Sequence, residues 1–212
     1  MNHSKFQFVT SPSDQVIRRA AEAIRQGGVV AIPTETYYGL AVDPENDQAI
    51  QRLFLLKNRP QNKPILLLVS DLHQIARYAQ TIPEQYESLI ESYWPGPLTL
   101  VFPAKPEVSQ LLTGGTGTIG IRLTPNKTVC RIIDQLQAPV TATSANLSRH
   151  EPARSVQQVH DAFRDKLAYI VDGGPADEGP GSTVVNVING KLYIERIGRI
   201  QLPGLPLSSE LK

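Results

Sequence analysis

Three cations stand within seven residues of one short stretch, Lys57, Arg59 and Lys63 in LFLLKNRPQNKPILLLV. No acidic residue lies among them, and Pro60 and Pro64 stiffen the turn that carries them. A lysine at a helix end meets the negative end of the helix dipole, which accounts for Lys57. That explanation fits Arg59 less well, because a residue before proline is pushed out of helical geometry. It says nothing for Lys63, which lies beyond the helix. A guanidinium and two ammonium groups on a stiff turn suit a polyphosphate, since arginine forks across phosphate oxygens and lysine adds point charge. The residues alone leave two readings open, a phosphate site and a solvated turn.

Further candidates lie along the chain. In APVTATSANLS an apolar run leads straight into Ser144 and Asn146, a hydroxyl and an amide that could serve phosphate or ribose oxygens beyond a strand end. Capping of the next element is the plain alternative. TGGTGTIGIRL satisfies G-x-G-x-x-G at Gly115, Gly117 and Gly120. It runs into a strand where the dinucleotide fingerprint opens a helix, so that reading is rejected. Arg122 sits inside this apolar strand, where an arginine usually has an anionic partner. IPTETYYGLA places Thr34, Glu35 and Thr36 at a strand exit, followed by Tyr37 and Tyr38, which could wall a small-substrate pocket. The four histidines have no metal-ligand spacing, and Cys130 falls in an amphipathic segment. An enzyme built from these parts would work by positioning reactants and stabilising charge.

The elements that hold these residues alternate between helix and short apolar strand. SPSDQVIRRAAEAIRQGG reads as a helix capped by Ser11 and stopped by Gly27 and Gly28. VVAIP is a strand buried on both faces, TETYYGLAVDPEN a polar loop, and Asp47 to Lys57 a helix. ILLLV, LTLVF, TIGIRL, PVTAT and AYIV read as strands. DLHQIARYA, the segment from Pro83 to about Trp94, Thr128 to Leu136, and SVQQVHDAF read as helices. DGGPADEGPG is a turn, either a lid or an inert surface loop. STVVNVINGKLYIERI is a hairpin turned by Asn189-Gly190. The expected fold is one α/β domain with a twisted mixed β-sheet flanked by helices.

Composition narrows the function classes. Hydrophobic residues make up 41% of the 212, enough for a core. The formal net charge is only +1, so nucleic-acid binding would need a local basic patch. A single cysteine excludes a disulfide framework within the chain and leans towards a reducing, cytoplasmic setting. No apolar run reaches the roughly 20 residues of a membrane span, and the first ten residues lack a signal-peptide core.

Taken in order, PTETYYGL, KNRP with KPILLLV, WPGPLTLVFPA with TIGIRL, and TSANLS resemble the YrdC-like family, in its threonylcarbamoyl-AMP synthase branch. The resemblance spans Gln15 to Ile200 and implies one YrdC-like domain with a concave, positively charged ligand face. It implies formation of threonylcarbamoyl-AMP and pyrophosphate from L-threonine, bicarbonate and ATP, with ATP arriving as Mg-ATP and no protein metal site. The product would feed the tRNA threonylcarbamoyl-transfer machinery. The family's Lys-x-Arg and Ser-x-Asn signature falls on Lys57, Arg59, Ser144 and Asn146, assigned to ATP with Thr118, Arg196 and Lys63. Lys57 and Arg59 are the catalytic pair, and Thr34 and Arg122 face threonine. Arg149 stands where the family usually has glycine, and Asn186 where aspartate is frequent. The short form, without the extra C-terminal domain of longer relatives, is expected. Two other readings remain, a non-catalytic RNA-binding module and a paralogue for another carbamoyl or nucleotide substrate.

Overall fold

The computed structural model describes residues 12–210. Nine strands form one mixed sheet, in the order β7-β1-β2-β6-β3-β5-β4-β8-β9. They are β1 (Val30–Pro33), β2 (Tyr38–Ala41), β3 (Leu66–Val69), β4 (Leu98–Pro103), β5 (Thr118–Leu123), β6 (Val140–Ser144), β7 (Tyr169–Ile170), β8 (Thr183–Ile188) and β9 (Lys191–Arg196). The helices are α1 (Asp14–Arg25), α2 (Asp47–Lys57), α3 (Glu87–Tyr93), α4 (Gln110–Thr113), α5 (Lys127–Leu136) and α6 (Val156–Phe163). Parallel pairing joins β1 to β7, β3 to β5 and β4 to β8, and the remaining neighbours are antiparallel.

Alternation along each strand divides the sheet between two apolar layers. Leu67 and Val69 of β3, with Ile119 and Ile121 of β5, enter the larger layer under α2, α3 and α6. Leu68, Val30 and Ile32 enter the smaller layer under α1 and α5. Ile17, Ala20 and Ile24 of α1 meet Val129, Ile132 and Ile133 of α5 there. This second layer draws its members from β1, β2, β3 and β6 but not from β4, β5 or β8. The α1/α5 face is therefore roofed over one half of the sheet and open over the other. The open half becomes the floor of a cavity.

Local differences from the sequence reading have physical causes. Ser13 caps α1 by accepting from the Val16 amide, and Ser11 lies outside the described residues. The expected loop after Pro33 contains β2, because Thr34 closes a tight hairpin with its amide on Tyr37 O at 3.2 Å. Only four residues long and interrupted by Gly39, β2 carries too little periodicity to read. The helix expected over DLHQIARYA is a 3-10 turn from Leu72 to Arg77, and the one after Pro83 begins as a 3-10 turn before α3. The Asn189-Gly190 turn forms as expected, with φ of 51° and 76°.

One glycine controls how the C-terminal segment meets β8. A Cβ at Gly198 would stand 2.3 Å from Ser182 C and Thr183 N. No L side chain fits there without moving backbone. Gly198→Ala is expected to lower stability by about 1–3 kcal/mol, as overpacking does, measured by denaturant unfolding. An unchanged midpoint would show that this segment yields freely.

Candidate active site

The cavity over the open half-sheet is about 770 Å³, within the range of small-molecule sites. Period two explains its floor. Thr118, Gly120 and Arg122 of β5 point into it, while Ile119 and Ile121 point into the core behind. Thr99 and Val101 of β4 do the same, with Leu98, Leu100 and Phe102 behind. Gly120 keeps the floor low, since a Cβ there would meet Thr99 Cγ2 at 3.3 Å.

The cationic hinge forms one wall. Helix α2 ends at Asn58 in left-handed geometry, φ 49°, with Asn58 N donating to Leu55 O and Arg59 N to Phe54 O. This Schellman closure reverses the chain within two residues. Lys57 and Arg59 consequently point to different places. Arg59 lines the cavity and donates from Nη2 to Pro64 O at 2.7 Å, while its buried Nε has no partner among the described residues. Burial lowers its pKa.

Lys57 is only 1% exposed and does not line the cavity. Its Nζ donates to Ser144 O, to Asn146 O at 2.7 Å and to Asn146 Oδ1 at 3.3 Å. The hinge and the downstream turn thus meet, through the lysine itself. Ser148 N on Lys57 O, at 2.9 Å, ties the two backbones as well. Asn146 is equally occupied, since Oδ1 accepts from Ser144 Oγ at 2.6 Å and Nδ2 donates to Leu147 O and His150 O. Ser144 alone of the Ser-x-Asn pair lines the cavity.

Arg122 is 4% exposed and its Nε lies 2.9 Å from Glu35 Oε1. The N–H does not point along that line, so the contact is an ion pair without a well-formed hydrogen bond. Glu35 Oε2 accepts from Thr124 Oγ1 at 2.8 Å, which fixes the carboxylate behind the guanidinium. Thr34 borders the cavity, with Oγ1 donating to Tyr37 O at 2.6 Å and standing 3.1 Å from Thr36 Oγ1. Thr118 and Thr116 hydroxyls meet at 2.8 Å on the rim. Arg196 reaches in from β9 and donates to Ser182 O and Ser182 Oγ, both at 2.9 Å from Nη2. Burial, then the Arg122 charge, lower its pKa. Lys63 is exposed and is not among the residues that line this cavity.

The expected walls Tyr37 and Tyr38 are present. Their hydroxyls donate to Gly179 O and Gly174 O, at 2.8 and 2.7 Å, and so hold the DGGPADEGPG loop. Arg154 stacks over the Tyr37 ring at 4.7 Å and donates to Asp177 O and Gly179 O. Arg199 adds bonds to Asp177 O and Pro180 O. The loop is strapped to the cavity wall. Ser182, Thr143 and Glu195 also line the site and escaped the sequence reading, and Asn186, noted there only as a departure from a frequent aspartate, lines it too. Thr143, Asn186 and Glu195 are signalled only by position on β6, β8 and β9, and Ser182 by its place just ahead of β8, and these become visible once strand order is known. Among the described residues no group of three or more His, Cys, Asp and Glu could hold a metal ion. No helix among them is long and apolar enough to cross a membrane.

Three arginines, Arg59, Arg122 and Arg196, and one carboxylate, Glu195, line a single cavity. Such a surface suits a ligand with several negative groups set apart from each other. Residues 22–198 match the family described as telomere recombination, Sua5/YciO/YrdC. The chain belongs to this family. It is 37% identical over 191 residues to the threonylcarbamoyl-AMP synthase of Pyrococcus abyssi, covering 90% of this chain and 55% of that protein. Proteins of the same name from Halorhodospira halophila and Idiomarina loihiensis are 38% and 35% identical, with 74% and 82% of this chain covering 82% and 95% of theirs. Sua5 of P. abyssi, solved in complex with L-threonine, superposes with a TM-score of 0.83 at 36% identity, over 86% of this chain and 54% of that one. The chain therefore spans little more than half of the Pyrococcus protein and most of the two bacterial ones.

The buried ammonium of Lys57 has a pH signature. Burial first, then the Arg59 charge, pull its pKa down from 10.5 to about 7. The surrounding oxygens oppose that shift by favouring the charged form. With the folded value below the unfolded one, the unfolded chain binds more protons between the two. Folding stability from this group is therefore lowest below pH 7 and rises from about pH 7 towards 10. Unfolding free energies of wild type and Lys57→Met, measured at pH 6 to 9.5, are expected to diverge in favour of wild type as pH rises. A constant difference would mean that the oxygens keep Lys57 charged throughout.

Proposed function

We propose that this chain is a threonylcarbamoyl-AMP synthase, joining L-threonine, bicarbonate and ATP and releasing pyrophosphate. The observation that carries the reading is the distribution of cations within one cavity. Arg59, Arg122 and Arg196 border the same volume as Ser144, Thr34 and Thr118. The names of the relatives, and a threonine complex of one of them, support the same assignment.

In this reading Arg122 pairs with the threonine carboxylate, and Glu35, held by Thr124, keeps the guanidinium in place. Thr34 borders the amino acid. The amine attacks bicarbonate carbon and, with its proton and a bicarbonate C–O oxygen leaving as water, gives a carbamate, whose oxygen attacks the α-phosphorus as the bond to pyrophosphate breaks. No protein nucleophile is needed. Holding three reactants together can lower such a barrier by about 7–11 kcal/mol. Arg59 neutralises charge developing on the phosphoryl oxygens, with Ser144 as a neutral donor. Lys57 and Asn146 take part from behind, Lys57 as the buried charge that holds the turn and Asn146 as its brace. Arg196 and Thr118 belong to the nucleotide side. Mg²⁺ enters with ATP as part of the substrate, coordinated by phosphates. The product passes to the machinery that transfers threonylcarbamoyl to tRNA. Residues 15–200 form the working unit, and the cytoplasmic setting rests on composition.

Purified protein with ATP, threonine and labelled bicarbonate is expected to yield pyrophosphate and a threonine-dependent labelled adenylate. Arg59→Ala is expected to reduce kcat/KM at least about tenfold, the equivalent of one lost charge contact. Arg122→Met is expected to raise KM for threonine more than KM for ATP. RNA affinity without threonine-dependent turnover would overturn the proposal.

A further inference from the structure

Three arginines line the main cavity, and their partners differ in kind. Arg59 donates to the carbonyl oxygen of Pro64, and Arg196 to the carbonyl and hydroxyl oxygens of Ser182. Both are met by neutral groups only, among the described residues. Arg122 alone has a carboxylate beside it, with Glu35 Oε1 2.9 Å from its Nε. Glu195, which also lines the cavity, accepts from the Asn186 amide at 2.7 Å and forms no ion pair among the described residues. Arg122 is also the most buried of the three, and its guanidinium makes no well-formed hydrogen bond to protein there.

Strand register keeps the three apart. Continuing the pairing of Leu100 with Ile121 places Thr99 opposite Arg122, and Thr99 pairs with Val184 and Val184 with Arg196. Arg122 and Arg196 therefore end one cross-strand row, three strand spacings or about 14 Å apart at the backbone. The Pro64 carbonyl that holds Arg59 lies ahead of β3, whereas Arg122 pairs with Leu68 inside it.

Charge then sorts what each arginine can take. Attraction to a cation grows in proportion to a ligand's charge, whereas the cost of stripping its water grows with the square. A phosphate dianion thus needs a cation without a counter-charge. Glu35 cancels much of the Arg122 field and leaves short-range N–H donors, which suffice for one carboxylate. An amino acid also carries an ammonium group, which a bare arginine repels and an arginine–glutamate pair does not. Specificity of this kind works by penalising the wrong ligand.

We propose that Glu35, acting through Arg122, keeps phosphate groups off this guanidinium and reserves it for the singly charged carboxylate of an amino acid. Glu35 does not itself line the cavity, so it is a positioning residue. The inference rests on the synthase reading and adds how one cavity with three arginines keeps its two anionic substrates in separate places.

Inorganic phosphate and L-threonine are titrated by calorimetry, at matched ionic strength, into wild type, Glu35→Gln, Thr124→Val and Glu35→Gln/Arg122→Met. Glutamine keeps the shape and still accepts from Thr124 while losing the charge, and valine at 124 keeps the charge while losing the hydrogen bond. Wild type is expected to bind threonine with the same Kd with and without phosphate. In Glu35→Gln, phosphate is expected to raise the apparent Kd for threonine at least about tenfold. An additional phosphate-binding event accompanies it and is lost in the double variant. Thr124→Val is expected to weaken threonine binding without admitting phosphate. Phosphate that displaces threonine from wild type would overturn the proposal. So would a Glu35→Gln protein, folded by thermal unfolding, in which phosphate leaves threonine binding unchanged. Phosphate competition in Thr124→Val equal to that in Glu35→Gln would reduce Glu35 to a structural brace and overturn it too. Wild type that binds no threonine would instead overturn the synthase reading, and the phosphate titrations alone then decide the role of Glu35.

Discussion

The ammonium of Lys57 is the contact on which the rest of the site depends. It ends α2 in the larger core layer and reaches the turn after β6, where three oxygens receive it. A charge this buried is costly unless its donors are used, and removing one partner leaves the others unpaired. The hinge before β3 and the Ser-x-Asn turn are therefore fixed relative to each other. Arg59 on one and Ser144 on the other then border a common volume. The distance between these segments in sequence is bridged by this side chain and by the backbone bond from Ser148 N to Lys57 O.

The second constraint is the incomplete roof of the sheet. α1 and α5 cover β1, β2, β6 and β3, and nothing from the smaller apolar layer continues over β5, β4 and β8. On those strands the outward positions are small or polar, Thr99, Thr118, Gly120 and Ser182 among them. Leucine there would have demanded a covering helix. The exception is Arg122, a full charge set into the floor and tolerable because Glu35 lies behind it. Removing one member of that pair would strand the other, so this part of the cavity and the stability of the sheet are linked.

The arginine strap adds a third feature. Arg154 and Arg199 hold the glycine- and proline-rich loop through its carbonyl oxygens, and Tyr37 and Tyr38 hold it from below. A loop with this composition would be free in isolation, because glycine gains the most from disorder. Here four side chains from three separate parts of the chain restrain it at the edge of the cavity. It is a wall first, and any motion must break several of these bonds.

Much of this was legible in the chain. Apolar runs marked most of the strands, the Asn189-Gly190 turn marked the final hairpin, and residue type and order marked segments that border the cavity. Those features are local: period, turn chemistry and charge excess depend on neighbours in sequence. The separate destinations of Lys57, Arg59 and Lys63 were not legible. Three cations within one hinge look alike as text, yet a left-handed Asn58 and two prolines send one into the core, one into the cavity and one to the outer surface. Likewise β2, Ser182 and the Glu35–Arg122 pair became apparent only with strand order, since β5 and the loop after β1 are brought together by pairings that no local pattern encodes. Sequence determined which residues could bind an anion. Tertiary structure decided which of them border one cavity, because only the packed sheet fixes direction.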